Sequence, residues 1–140
     1  FDQLLAGDDS VLNADEKHGL AVFVNTGCTS CHNGVDVGGG MYAKLGAAES
    51  FAGADMGRYN VTKDEADKFV FKVPSLRNVA QTGPYLHDGS IPTLEDMVRV
   101  MARHQLGKQL SDSDINDVVL FLRTLTGQIP TEYIARPQLP

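Results

Sequence analysis

Hydrophobic residues recur with a helical period in three separate segments of the chain. The first segment runs from about Ala14 to Asn25, the second from about Leu94 to His104, and the third from about Asp112 to Leu125. Each carries one apolar face, which predicts a helix that packs against another part of the protein. The apolar positions are Leu20, Phe23 and Val24 in the first helix, Leu94, Met97, Val98 and Met101 in the second, and Ile115, Val118, Val119, Leu122 and Leu125 in the third. The pattern favours an all-α fold.

Residues at and within the first helix predict how it begins, ends and packs. Asn13 is a predicted N-cap with Glu16 three residues later, a capping-box arrangement, and Gly27 follows the last helical residue. Gly19 lowers helix propensity, so it indicates that another helix approaches closely at this point. We expect the third helix to be that partner.

The long segment between Gly34 and Pro92 shows no comparable helical period. It includes the flexible stretch GVDVGGG, the turn-rich stretch SFAGADMGRYN and the extended stretch FKVPSLRNV, in which Pro74 disfavours a helix. A connection of this length without regular structure is uncommon in a compact domain unless it serves a function. This predicts a bound group that the segment encloses.

The composition is that of an ordinary globular domain. The chain has 140 residues, 42% of them hydrophobic and 21% charged, and we expect a single domain over residues 1–140. A net charge of -6 without a basic run argues against a nucleic-acid partner. No apolar run approaches the roughly 18 residues that span a bilayer. The first residue is Phe1 and not methionine, which favours a processed chain or part of a larger protein.

Both cysteines, Cys28 and Cys31, lie with His32 in the stretch GCTSCHNG. A structural zinc site would need a second pair of Cys or His ligands, which the sequence lacks. A redox dithiol is expected in a strand–helix–strand context, and a disulfide across so short a loop would constrain little of the unfolded chain. The pattern Cys-x-x-Cys-His is instead typical of haem c, with two thioethers to the cysteines and the histidine as an iron ligand.

The second axial ligand decides what such a haem does. A haem closed by histidine and methionine mainly transfers electrons, whereas an open iron position can bind peroxide. Four methionines are candidates: Met41 lies beside the glycine run, Met56 lies in a polar turn, and Met97 and Met101 share a helical face. Spacing alone leaves the choice open.

Other charged residues and histidines are candidates for the surroundings of the haem. Arg77, in SLRN, is either a solvated arginine or a donor to a haem propionate, because a buried carboxylate needs charge-assisted partners. His87, in PYLHDG, is either a hydrogen-bonded structural residue in a turn or a group near a propionate that tunes electron transfer. His18 and His104 are expected on the surfaces of their helices.

Long strings of the chain resemble one bacterial family. FKVPSLRNVAQTGPYLHDGSIPTLEDMV and VMARHQLGKQLSDSDINDVVLFLRTLTG are similar to the C-terminal haem domain of the di-haem cytochrome c peroxidases. The similarity continues through FDQLLAGDDSVLNADEKHGLAVFV and GCTSCHNGVDVGGGMYAKLG, and so covers essentially the whole chain. The resemblance implies an all-α cytochrome c-type domain with long loops, wrapped around one covalent haem.

The resemblance also implies a function. In that family this domain accepts electrons from a small cytochrome or cupredoxin and passes them to a second haem, in an N-terminal domain, where hydrogen peroxide is reduced. The chain has one Cys-x-x-Cys-His motif, so the peroxidatic haem of the implied oxidoreductase is expected in the N-terminal domain. No catalytic residue is expected in this chain. A free-standing mono-haem electron carrier without enzymatic activity is the alternative. Haem c is attached outside the cytoplasm, which indicates the periplasm, and a homodimer is a further expectation.

The resemblance assigns ligands that spacing leaves open. The axial methionine of the family stands just before the QLG segment, which selects Met101, with Met97 second. The family binds calcium at its domain boundary, and the matching backbone oxygens here are those of Thr82 and Pro84. Calcium prefers several oxygen ligands, so the other domain is expected to complete that site.

Overall fold

The computed structural model describes residues 1–51, 53–132 and 134–137, and its regular elements are mainly helical. In chain order they are α1 (Asp2–Leu5), α2 (Ala14–Thr26), β1 (Tyr42–Lys44), α3 (Tyr59–Thr62), β2 (Val70–Lys72), α4 (Leu94–Val100) and α5 (Asp112–Arg123). Short 3-10 turns cover Cys28–Ser30, Glu65–Asp67 and Val79–Gln81, and a π-helical turn covers Met101–Gln105. Within the described residues, no helix is long and apolar enough to cross a membrane. The expected helical fold is confirmed, with one small sheet in addition.

The three predicted helices are present, but one of them is divided. In α2, Glu16 N donates to Asn13 Oδ1 at 2.9 Å and Asn13 N donates to Glu16 Oε2 at 2.8 Å, which completes the capping box. Gly27 ends α2 in a left-handed conformation with φ of 104°. The second predicted helix stops being α-helical at Val100, where the backbone widens into the π-helical turn.

The centre of the core is the crossing of α2 and α5. A Cβ atom on Gly19 would overlap the main-chain carbonyl group of Asp117, so only glycine allows this approach. Next to it, His18 Nδ1 lies 2.8 Å from Asp117 Oδ2. One helical turn later in each helix, Phe23 packs on Phe121 with ring centroids 5.3 Å apart. The predicted pairing of the first and third helices is confirmed.

The long central segment is held together by a two-stranded antiparallel sheet. β1 pairs with β2, with Tyr42 opposite Lys72. Hydrogen bonds extend the pairing past the strands, from Val73 N to Met41 O at 2.9 Å and from Leu76 N to Val37 O at 3.2 Å. The chain after β2 therefore runs beside the segment that follows the cysteine pair.

Candidate functional site

The Cys-x-x-Cys-His stretch forms a tight turn at the C-terminal end of α2. The 3-10 turn Cys28–Ser30 begins directly after Gly27, and His32 N donates to Cys28 O at 3.0 Å. Both cysteines are free and half-buried, and Cys28 packs against the hydrophobic core. One short segment thus holds two thiols and an imidazole, and Cys28 places this segment next to the apolar interior.

The imidazole of His32 is buried on its Nδ1 side. Nδ1 makes no well-formed hydrogen bond within the described residues, although the backbone of Val37 and of Pro74 lies beside it. Burial lowers the pKa of His32, and these backbone groups oppose that shift only in part. The neutral imidazole is therefore favoured, which is the form that binds a metal. A proton on Nδ1 can point at the carbonyl group of Pro74, which leaves Nε2 available as a ligand.

Gly38 allows this close packing around His32. It has φ of 126°, a left-handed conformation that favours glycine. A Cβ atom there would overlap the carbonyl oxygen of Pro74 and lie 3.0 Å from His32 Nδ1. The glycine run after the cysteine pair therefore includes a position at which a side chain would disturb the histidine.

The structure argues against two of the three non-haem alternatives, the redox dithiol and the zinc site. Burial raises the pKa of the Cys28 thiol to about 11. Redox-active Cys-x-x-Cys pairs instead have a lowered thiol pKa. Nor does the described part of the chain contain a group of three or more His, Cys, Asp and Glu side chains that could hold a metal ion directly. The arrangement fits thioether attachment better than a dithiol or a zinc site.

Met101, the predicted second ligand, is the first residue of the π-helical turn and is half-buried. Met97, the second choice, lies one helical turn earlier in α4 and is also half-buried. The chain after Met101 returns to the cysteine turn, because Leu106 Cδ2 lies 4.0 Å from the position of a Cβ atom on Gly27. The two remaining methionines are exposed by 40% and 37%: Met41 and Met56.

A cavity of about 320 Å³ lies between the sheet and the loop that precedes α4. The ring of His87 borders it and stacks on Phe71, with centroids 4.6 Å apart and 22° between the planes. His87 Nε2 lies 2.9 Å from Asp55 Oδ2. His87 therefore has the partner expected of a structural histidine, and its contact with a propionate stays a prediction. The apolar lining includes Leu45, Phe51, Phe69, Leu86 and Ile91.

Arg77 ties the beginning of the chain to the loop after His32. Its Nε donates to Val35 O at 2.7 Å, and its Nη1 and Nη2 donate to the two carboxylate oxygens of Asp2 at 3.0 and 2.8 Å. These bonds lower the pKa of Asp2 and raise that of Arg77. The bidentate pair with Asp2 was not predicted, because 75 residues separate the two partners along the chain.

Thr82 and Pro84, the predicted calcium ligands, lie on either side of Gly83 in an exposed turn. Neither carbonyl oxygen accepts a hydrogen bond from the residues that the structure describes. The hydroxyl group of Thr82 instead donates to Val79 O at 3.1 Å. Calcium binding through these oxygens stays a prediction.

Sequence reasoning missed several residues around this site. The run GVDVGGG was a signal for Gly38, whereas nothing in the sequence singled out Asp55, the partner of His87. The surface position of His18 is confirmed, but His104 is half-buried and hydrogen-bonded to the main chain of another loop. Helical periodicity placed His104 on an outer face, and the π-helical turn changes which direction it faces.

The chain has clear similarity to known proteins. The profile of the family "Cytochrome c" matches residues 16–126. The cytochrome c551 peroxidase of Pseudomonas aeruginosa is 44% identical over 100% of this chain and 41% of its own length. The cytochrome c peroxidase Ccp of Escherichia coli is 44% identical over 99% of this chain and 30% of its own length. The cytochrome c551 peroxidase of Nitrosomonas europaea is 46% identical over 93% of this chain and 40% of its own length. The predicted resemblance to bacterial cytochrome c peroxidases is confirmed, and the chain spans less than half of each relative.

A solved structure supports the fold. The crystal structure of a MauG-like protein associated with microbial copper homeostasis aligns with a TM-score of 0.72 over 86% of this chain and 49% of that chain. The sequence identity is 23%, so this likeness shows the fold alone. Together with the family profile it confirms the predicted cytochrome c-type fold.

Proposed function

Because this chain belongs to the cytochrome c family, we propose that it is the electron-transfer haem domain of a bacterial di-haem cytochrome c peroxidase. The observation that carries the proposal is the 44% identity to two peroxidases over essentially the whole chain. Residues 1–140 then form a single haem domain. The chain spans 41% and 30% of those two proteins, which is consistent with further domains in the complete enzyme.

Four side chains would hold one covalent haem c. The Sγ atoms of Cys28 and Cys31 would form the thioethers, and His32 Nε2 and Met101 Sδ would be the axial iron ligands. The bound haem supplies a one-electron redox couple. The imidazole of His32, which is buried on its Nδ1 side, supports this assignment, as does the turn that packs Cys28 against the core.

The cavity has an apolar lining of the kind that the haem ring requires. It is lined mainly by aromatic and aliphatic side chains, which suits a planar apolar ring. Phe71, on its wall, precedes Pro74 by three residues of extended chain, or about 10 Å. Cys28, Cys31, His32 and Met101 do not line this cavity, so a haem anchored at His32 would have to extend toward it.

The proposed ligand pair determines the role of the domain. If His32 and Met101 both bound the iron, they would leave no open position for peroxide, and the haem would supply electron transfer only. We therefore assign no catalytic residue to this chain and place peroxide reduction at a second haem in an N-terminal domain. The electrons would come from a small cytochrome or cupredoxin.

The proposed compartment is the periplasm, since haem c is attached outside the cytoplasm. A homodimer is a further proposal, which sedimentation of the complete enzyme would test.

Two residues are proposed to contact the propionates. His87 borders the cavity and is already oriented by Asp55 and Phe71. Arg77 uses three of its five N–H donors on Asp2 and Val35, so two donors remain for a carboxylate. Both contacts would stabilise negative charge beside the haem and so influence its reduction potential.

Calcium is proposed at the boundary with the N-terminal domain. The carbonyl oxygens of Thr82 and Pro84 would supply two ligands, whereas calcium usually takes about six to eight oxygens. The remaining ligands would come from the other domain and from water. Calorimetric titration is expected to show calcium binding by the complete enzyme and none of comparable affinity by this chain alone.

Haem counting and donor reduction test the proposal. The mass of the mature chain should exceed the polypeptide mass by one haem, and Cys28→Ser or Cys31→Ser should each remove one thioether. The haem-loaded chain should accept electrons from a reduced small cytochrome or cupredoxin. If the chain carries no covalent haem, or carries one that such donors do not reduce, the proposal is wrong. A chain that is reduced but does not pass electrons to a peroxidatic haem domain would instead be a free-standing carrier.

A further inference from the structure

The π-helical turn that contains Met101 is hydrogen-bonded to a distant loop through the side chain of Gln105. The side-chain amide of Gln105 donates from Nε2 to Lys44 O at 2.7 Å and accepts at Oε1 from Gly46 N at 3.0 Å. Both ends of the amide are thus hydrogen-bonded to the main chain of one loop. This loop, residues 44–51, begins with the last residue of β1 and also lines the cavity with Leu45 and Phe51.

His104 makes a second set of bonds to the same loop. Its Nδ1 lies 3.0 Å from Glu49 O and 3.1 Å from Ser50 O, so Nδ1 must carry the proton and donate. Its main-chain oxygen accepts from Ala48 N at 3.0 Å and from Glu49 N at 3.1 Å. The imidazole ring also packs edge-on against Phe51, with centroids 5.2 Å apart. Side chain and main chain of one residue thus both hold the loop.

These contacts explain how an uncommon backbone geometry is maintained. π-Helical turns are rare, are usually found as single turns within α-helices, and are frequent at functional sites. One extra residue in a turn rotates every following side chain relative to the preceding helix, by about 100°. In a regular α-helix, His104 and Gln105 would therefore point away from their present partners. The bonds to loop 44–51 and the wide turn at Met101 depend on each other.

We propose that Gln105 and His104 are positioning residues that hold the π-helical turn against loop 44–51 and so orient the Met101 thioether toward the haem iron. This inference rests on the proposed ligation of the iron by His32 and Met101. Loop 44–51 is a firm support, because Leu45 N donates to Phe69 O at 2.8 Å and joins it to the end of the sheet. The two residues act through the backbone of the turn, and neither needs to touch the haem.

Two absorption measurements on the haem-loaded chain test the proposal. The first is the charge-transfer band that a methionine ligand gives to ferric haem, and the second is a titration with imidazole, which competes with the methionine for the iron. Gln105→Leu keeps the size of the side chain, removes both of its hydrogen bonds, and adds no new thioether. His104→Ala removes the Nδ1 donor, whereas His104→Asn retains a donor near that position. His18→Ala is the control, since it removes one hydrogen bond between α2 and α5 away from the turn.

We expect Gln105→Leu and His104→Ala to weaken the band and to raise the affinity for imidazole about tenfold, which corresponds to about 1.4 kcal/mol. His104→Asn should restore values near those of the wild type, and His18→Ala should leave both unchanged even if it lowers the unfolding temperature. Wild-type values in Gln105→Leu and His104→Ala, or equal changes in His18→Ala, would overturn the inference. If Gln105→Leu does not fold, Gln105→Glu serves in its place, because it keeps the acceptor for Gly46 and loses only the donor to Lys44.

A different set of results would refute the proposed ligation of the iron by His32 and Met101. If the wild-type chain lacks the methionine band and Met101→Leu does not change imidazole affinity, the ligand assignment is wrong and the positioning role is overturned with it. If the wild type shows the band and Met101→Leu abolishes it, unchanged behaviour of Gln105→Leu and His104→Ala overturns the positioning role alone.

Discussion

Replacement of Gly19 by alanine tests whether close approach of α2 and α5 determines the stability of the domain. The added methyl group would overlap the main-chain carbonyl group of Asp117. A flexible side chain could move aside, but a carbonyl group within α5 moves only with its helix. Separation of the helices would loosen the contact between Phe23 and Phe121 at the centre of the core.

Two opposing effects give the size of the change. Alanine in place of glycine favours a helix by about 1 kcal/mol. Overpacking of a close contact usually costs about 1–3 kcal/mol, and a main-chain obstacle places Gly19→Ala in the upper part of this range. The expected net loss is about 2 kcal/mol in the free energy of unfolding. For a chain of this length, that loss lowers the melting temperature by about 6–8 °C.

Urea unfolding followed by far-ultraviolet circular dichroism measures this difference. Gly40→Ala is the matched control, because no atom lies within 4 Å of a Cβ atom at Gly40 and its φ is not positive. This control should leave stability unchanged or raise it by less than about 1 kcal/mol. If Gly19→Ala stabilises the protein, as helix propensity alone would predict, the account of the crossing is refuted.

Met101→Leu is expected to abolish the methionine charge-transfer band and to raise imidazole affinity by more than about tenfold, or 1.4 kcal/mol. Met97→Leu should change neither, and equal effects of both would contradict the assignment. Gly38→Ala is expected to lower the haem-to-protein absorbance ratio of the purified chain severalfold, because a Cβ atom would crowd His32 Nδ1; an unchanged ratio would show that the packing is not needed. Asp2→Asn is expected to lower stability modestly at neutral pH. Because Arg77 lowers the pKa of Asp2, the wild type has this stabilisation above the ordinary aspartate pKa and loses it as the pH falls through the lowered value. Urea unfolding at several pH values measures the difference, which should disappear in acid and shrink with added salt; a difference that persists in acid would refute the pairing.

Local signals were sufficient to predict α2 and its role. Asn13 and Glu16 form the predicted capping box, and Gly27 ends the helix as expected. These features depend on residues within one or two turns of each other, which sequence reasoning can evaluate. Gly19 was also informative, because an apparently unfavourable residue inside a helix usually has a packing reason.

Non-local contacts account for what the sequence did not reveal. Residues 101–105 have an ordinary helical pattern, whereas the π-helical turn that they form is bonded to the distant loop 44–51. The pairing of Arg77 with Asp2 likewise joins residues that are distant along the chain. The ligand assignment of Met101 came from family resemblance, because spacing alone did not separate it from Met97.

The reaction of the reduced, haem-loaded chain with hydrogen peroxide tests the electron-transfer role most directly. Because His32 and Met101 are proposed to fill both axial positions, we predict that peroxide oxidises the haem slowly when the chain is alone. Oxidation should become rapid only when the peroxidatic haem domain is joined to it. Rapid peroxide reduction by the chain alone, with Met101 not bound to the iron, would contradict the account.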